Sequence, residues 1–248
     1  MSKFSVILPA AGQSSRFSHR KAELAEFDTP LLRKKQFATL GNAAVWVHAA
    51  RKFLDRRDVI QIIIAIADED RNEFDRKFHS NVVIDGIEVA SGGAQRADSI
   101  RNCLALVKPE AEFICVHDAA RPCVTSDLVD KVFAKAVQTG AAMLACPVAD
   151  TLKRVDSKSH LITQTVSREG LWAAQTPQVF KRQWLEEAYK AANSSAATDD
   201  CMLIEQAGHQ VAVVESSQVN LKITTQEDLL IAAQLVNLNK KKSPLDFF

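Results

Sequence analysis

VILPAAGQSSRF, residues Val6 to Phe17, joins a short apolar run to a loop of small residues closed by an arginine. The run reads as a buried strand that ends at Pro9. Small side chains in the loop let backbone N–H groups face outward and let something bulky rest on them. An arginine at the loop's end, Arg16, implies that the bulky group is anionic.

Working outward, short apolar runs alternate with helical patterns. Ser5–Leu8, Val59–Ala67, Phe113–Val116, Ala141–Cys146 and Val211–Val214 read as buried strands, β-branched and nearly free of charge. Ile100, Cys103, Leu104 and Val107 follow the i, i+3, i+4, i+7 rule of an amphipathic helix. So do Val129, Val132, Phe133 and Ala136, behind a cap at Thr125 or Ser126. The last helix opens with Thr224-Thr225-Gln226-Glu227, which reads as a capping box, and buries Leu229, Ala232, Ala233 and Val236. This alternation predicts a single α/β domain over residues 1–248, Rossmann-like, with a mostly parallel sheet and helices on both faces.

Two segments break the rhythm. Residues 17–34 form a polar insertion after the first loop. Residues 148–168 alternate as VADTLKRV and HLITQTVS around a polar Asp156-Ser157-Lys158-Ser159 centre, which predicts a projecting β-hairpin arm. The terminal KKKSPLDFF reads as a solvated end.

The totals exclude several classes. A net charge of +1 over 248 residues argues against a general nucleic-acid or membrane-surface binder. No apolar run approaches the roughly 20 residues of a membrane span, and the first residues carry no signal-like pattern, so a cytoplasmic protein is expected. The five cysteines form no CxxC pair and read as buried reduced thiols.

In an open parallel sheet, ligands bind at the carboxyl ends of the strands, and the unusual residues gather there. The PAAGQSSR loop follows the first strand; SGGAQRADS (Ser91–Ser99) precedes the Ile100 helix; HDAARP follows the Phe113 strand; Asn220-Leu221-Lys222 follows the Val211 strand. Taken singly, each is also what an ordinary turn, helix start or ion pair looks like. The absence of GxGxxG after the first strand disfavours a dinucleotide site, and there is no GxxxxGK[ST] for a P-loop. A phosphate-handling crevice remains, with Arg16, Lys35, Arg96 and Lys222 supplying charge.

PAAG-xxx-R, GGAQRADS, VHDAARP, DTLKR, SREGLWAAQTPQVF, ATDD and NLKIT occur in this order between about Val6 and Leu235. Together they resemble the 2-C-methyl-D-erythritol 4-phosphate cytidylyltransferase family of the non-mevalonate isoprenoid route. The resemblance implies a nucleotidyltransferase-like fold and the reaction of CTP with methylerythritol phosphate to give 4-diphosphocytidyl-methylerythritol and pyrophosphate. It implies Arg16 and Lys35 as catalytic cations, and Ala10, Ala11 and Gly12 as a backbone cradle. Gly93, Arg96 and Ser99 would hold cytosine and ribose, the glycine letting the base lie close to the backbone. Asp118 and Ala119 would sit at the ribose and metal end, and Lys222 on the phosphates. Arg121, Thr151, Arg168 and Thr176 would bind the acceptor. It further implies Mg²⁺ or another hard divalent cation, held mostly by phosphates with Asp118, and a homodimer through the 148–168 arm. The reaction suits a site without a catalytic histidine, because a phosphate nucleophile is already ionised at neutral pH.

Three departures stand out. Ser14 and Ala94 replace a usual glycine and a usual acidic residue. Arg16 and the lysine are normally much closer, whereas residues 17–34 intervene here. Lys35 is assigned because Lys35-Gln36-Phe37 and Leu40-Gly41-Asn42 match the family's KQY…GN stretch, with Lys34 and Lys21 as alternatives. Two rival functions stay open: a ribitol-5-phosphate cytidylyltransferase, and a regulatory protein that keeps the nucleotide cradle without turnover. His48 and His117 read as satisfied core histidines, Trp46 and Trp172 as packing residues, and Asp199-Asp200 as a helix N-terminus.

Overall fold

The computed structural model describes residues 1–14, 17, 29–191 and 198–240, the last four by backbone alone. Arg16, Lys21, most of the 17–34 insertion and nearly all of the KKKSPLDFF end therefore lie outside the described residues.

In chain order the elements are β1 (Phe4–Pro9), β2 (Thr39–Leu40), β3 (Ala43–Ala44), α1 (Val45–Leu54), β4 (Val59–Ile66), α2 (Arg71–Ile84), β5 (Glu88–Ser91), α3 (Arg96–Leu104) and β6 (Phe113–Val116). After them come α4 (Ser126–Thr139), β7 (Ala141–Pro147), β8 (Leu152–Val155), β9 (Ile162–Val166), β10 (Trp172–Lys181), α5 (Arg182–Ala191), α6 (Asp200–Gln206), β11 (Ala212–Glu215) and α7 (Gln226–Lys240). Seven strands form one sheet in the order β11-β7-β10-β6-β1-β4-β5. β1 pairs parallel with β4 and β6, β4 with β5, and β11 with β7, while β10 runs antiparallel to both neighbours. The predicted sheet is thus present with one reversed strand.

The period of two along the strands divides the core into two layers. Val6, Leu8, Ile62, Ile64 and Cys115 pack with Phe53, Phe74 and Phe133 of α1, α2 and α4. Ile7, Ile63, Ile114 and Val116 pack with Ile100, Leu185 and Ile204 of α3, α5 and α6. Both faces of β1 are buried, which is why its sequence is apolar without alternation. All five cysteines are buried and free.

One helix cap stands as expected and other expectations shift by a residue or two. α4 begins behind Thr125, whose hydroxyl accepts from the Leu128 N–H. α3 stops at Leu104, and Val107 reaches the core from the turn beyond it. The cap of α7 is displaced by one residue: Thr225 Oγ1 accepts from Asp228 N–H, and Asp228 Oδ2 accepts from the Thr225 N–H. Asp228, not Glu227, closes the box because it stands three residues after the capping threonine. Leu31 of the insertion is fully buried rather than polar in setting. Trp172 is 41% exposed and lines no core, unlike Trp46, which is enclosed.

The arm is a separate two-stranded sheet of β8 and β9. Its turn is organised by Asp156, whose Oδ1 accepts from the backbone N–H groups of Lys158 and Ser159 and from the Ser159 hydroxyl. β10 and β5 carried no strand reading in the sequence. β10 includes Pro177, and its pairing with β7 shifts between Ala174 and Gln178, so three residues bulge where alternation would have revealed a strand.

Candidate active site

The chain leaves β1 toward β4 and β5 on one side, then returns to place β6 on the other. The loops after β1 and β6 therefore diverge at the topological switch point, where an open α/β sheet presents a crevice. A cavity of about 450 Å³ lies there. Its walls include Ala10, Ala11 and Gly12 after β1, Gly93, Arg96 and Ser99 at the start of α3, and Asp118 and Ala119 after β6. Lys35 and Lys222 also line it, as do Asp68 and Glu69. Every residue expected to hold the nucleotide thus meets in one place. Lys34 does not line this cavity; it pairs with Asp70 at 2.6 Å and with Glu69 of the cavity wall at 3.7 Å.

The charge arrangement centres on Asp118. Lys222 Nζ lies 2.9 Å from its Oδ2, Arg121 Nε 3.5 Å from the same oxygen, and Arg96 Nε 3.7 Å from Oδ1. Burial alone would raise the pKa of this carboxyl, but Lys222, Arg96 and Arg121 hold it well below the usual range. One carboxylate therefore fixes three cations around the crevice. Arg96 also donates to Asp200 Oδ2 at 2.8 Å, and Tyr189 donates its hydroxyl proton to Asp200 Oδ1 at 2.6 Å. Asp199 caps α6 as the sequence suggests, whereas the fully buried Asp200 anchors Arg96.

Adjacent loops are stitched together behind this centre. The Asp118 N–H donates to Thr176 Oγ1, which also meets His117 Nδ1. Asn220 Nδ2 donates to Gln175 Oε1 and to the Thr176 carbonyl, and Ile223 N–H donates to the Ala120 carbonyl. His117 is buried, and that burial lowers its pKa to about 4 against the pull of Asp118, so it is a neutral structural histidine at pH 7. His48 bonds the Leu40 carbonyl and is equally internal.

Gly93 has a packing reason of its own. A Cβ there would lie 2.2 Å from Asp98 Cβ and 3.0 Å from its carbonyl carbon, so glycine lets the loop close onto the first turn of α3. Gly92 similarly abuts Ala11, whose Cβ would stand 2.3 Å from an added one. The small residues of the two loops are complementary to each other.

The acceptor residues divide. Arg121 and Lys222 line a second cavity of about 340 Å³ beside β7 and β10, together with Gln175 and Leu221. Thr176 is buried, with its hydroxyl committed to Asp118 and His117, so it positions the loop from behind. Thr151 and Arg168 are exposed on the arm, where Arg168 Nη1 donates to the Ala149 carbonyl, and neither lines either of these two cavities.

The family model for IspD, 2-C-methyl-D-erythritol 4-phosphate cytidylyltransferase, matches residues 4–237. The chain belongs to this family. A cytidylyltransferase of that name from Bacillus mycoides is 37% identical over 240 residues, covering 96% of this chain and 100% of the relative. One from Rhodopirellula baltica is 38% identical, covering 94% of each chain. The crystal structure of the Francisella tularensis enzyme has a TM-score of 0.75 and 30% identity, covering 94% of this chain and all of that one. The cytidylyltransferase fold therefore extends over the sheet, the crevice and the arm alike.

Sequence reading gave Gln178 no role, used Gln36 only to place Lys35, and read Asp200 only as part of a helix N-terminus. Gln178 donates to Asp199 Oδ2 and accepts from the Asp200 N–H, which connects the TPQ and TDD motifs. A polar side chain beside an apolar one, as in Gln36-Phe37, was the available signal, but only burial shows that it is used.

Proposed function

We propose that the enzyme transfers the cytidylyl group of CTP to 2-C-methyl-D-erythritol 4-phosphate where its two cavities adjoin. The observation that carries this reading is the Asp118 centre: Lys222 borders both cavities, and Asp118 fixes it beside Arg96 and Arg121. Two anions must be brought together, and fixed cations at their junction offset that repulsion without reorganising during reaction.

CTP occupies the larger cavity, its triphosphate against the Ala10–Gly12 backbone and Lys35, its base and ribose toward Gly93, Arg96 and Ser99. The acceptor phosphate enters from the Arg121 side and attacks the α-phosphorus as an ionised nucleophile, so no general base is required. Arg16 and Lys35 stabilise the charge that collects on the leaving pyrophosphate. A hard divalent cation would be held largely by the nucleotide phosphates, with the Asp118 carboxylate at the cavity wall as its protein ligand. Mg²⁺, when bound, supplies neutralisation of the phosphate oxygens.

Val155, Leu161 and Ile162 are exposed on the arm, and Leu171 and Trp172 are exposed where the chain leaves it for β10. An exposed apolar surface of this kind suits a second copy, giving a homodimer in which Thr151 and Arg168 would serve the neighbouring crevice. Its buried free thiols fit a reducing cytoplasm, and among the described residues no helix is long and apolar enough to cross a membrane.

Single-turnover incubation with labelled CTP and either methylerythritol phosphate or ribitol 5-phosphate tests the assignment. The expected result is a diphosphocytidyl product and pyrophosphate with the first acceptor. Preferential transfer to ribitol phosphate, or binding of CTP without turnover, would overturn it.

A further inference from the structure

Ser14 has φ 57°, in the left-handed region where glycine is at home and serine is not. Its side chain shows what the position gains in return. Ser14 Oγ donates to Gln36 Oε1 at 3.0 Å and accepts from the Lys35 N–H at 3.2 Å. Gln36 is buried, and its Nε2 donates to the Ala10 carbonyl at 2.6 Å and the Gly12 carbonyl at 3.0 Å. Both amide protons thus go to the nucleotide loop, and the amide oxygen goes to Ser14. Two carbonyl partners leave no choice about which end of the amide is nitrogen.

Gln36 is itself held. The Trp46 backbone N–H donates to its carbonyl, and its neighbour Phe37 packs against both Phe74 and Phe78 in the core. The rigid layer under α1 and α2 therefore reaches the crevice through one side chain. On the crevice side of that link stand Ala10, Gly12 and Lys35.

We propose that Ser14 and Gln36 form a positioning clasp that sets Lys35 against the Ala10–Gly12 loop, so that the lysine and the phosphate-facing backbone keep one fixed spacing. The inference rests on the assignment of Lys35 as a catalytic cation. The clasp explains how a chain with a long insertion before its lysine can still present it. The lysine is tied to the loop it must serve through two side chains, beside the turn of residues 29–38 that carries it. It also gives Ser14 a role that glycine could not fill.

The test compares Ser14→Gly, Gln36→Met, the double variant and Lys35→Ala in the full chain, by steady-state kinetics and thermal melting. Ser14→Gly removes the hydroxyl while accepting the backbone angle, so it should melt as the parent does. Its kcat should fall about tenfold with the acceptor KM unchanged within about twofold, since a spacing error acts on the transition state. Gln36→Met should lose about 10- to 100-fold in kcat, and the double variant should be no worse than Gln36→Met within about twofold, because both cut one network. Parental kcat in Ser14→Gly and Gln36→Met, or losses that multiply, overturn the clasp while an inactive Lys35→Ala leaves the lysine assignment standing. A Lys35→Ala enzyme that keeps its kcat overturns that assignment, and the clasp with it.

Discussion

Replacing Asp118 by asparagine keeps shape and removes one charge from the centre of the crevice. The cost depends on the partners that each of its three cations retains. Lys222 has a side chain 39% exposed and can turn into water. Arg96 retains Asp200 at 2.8 Å. Arg121 is stranded: it is buried, its Nη1 is used by the Asn220 carbonyl, and its Nε faces Asp118 as an ion contact without hydrogen-bond geometry. One uncompensated buried charge puts the loss at the lower end of that expected for breaking a buried pair, about 3 kcal/mol. For a domain of this size that lowers the melting temperature by roughly 6–12 °C. The assay is thermal melting of the ligand-free protein at pH 7, monitored by circular dichroism, with and without added pyrophosphate. Pyrophosphate should raise the variant's midpoint more than the parent's, because an anion can take the place of the missing carboxylate. A variant that melts within about 2 °C of the parent, or gains nothing extra from pyrophosphate, would refute the view that Asp118 organises the three cations.

His117 should make the fold acid-sensitive: unfolded, it takes a proton near pH 6.5, whereas the folded form resists protonation down to about 4. Stability should therefore fall as pH drops through that window, by up to about 3 kcal/mol, and denaturant titrations of His117→Asn should show a shallower pH slope. Gly93→Ala forces a methyl into Asp98 and should cost about 1–3 kcal/mol while raising the KM for CTP. Gly12→Ala meets nothing within 4 Å, so its melting temperature should stay put while the added methyl on the cavity wall weakens CTP binding, as calorimetry would reveal. Arg168→Ala should raise the acceptor KM much more than that for CTP. Mixed with Lys35→Ala chains it should recover activity through hybrid dimers, and no recovery after verified mixing would mean that each chain completes its own site.

The sequence by itself determined the α/β class, the buried strands and the places where chemistry collects. Those features are local: an apolar run such as Val6-Ile7-Leu8 must be buried, Thr125 must cap the helix behind it, and glycine-rich loops must come after strands. It also carried the family, because seven motifs in one order are a linear property. Tertiary structure decided how those motifs act on one another. The reversal of β10 was hidden by its bulge, since a strand that breaks its own period of two gives no alternation to read. The double commitment of Arg96 to Asp118 and Asp200, the choice of Lys35 over Lys34 for the cavity wall, and the passage from Gln36 to the nucleotide loop all join residues far apart in the chain. A carboxylate's partners depend on which loops the sheet order brings together. No pattern along the chain encodes that distance, so only the packed sheet could fix which lysine faces the crevice and what holds it there.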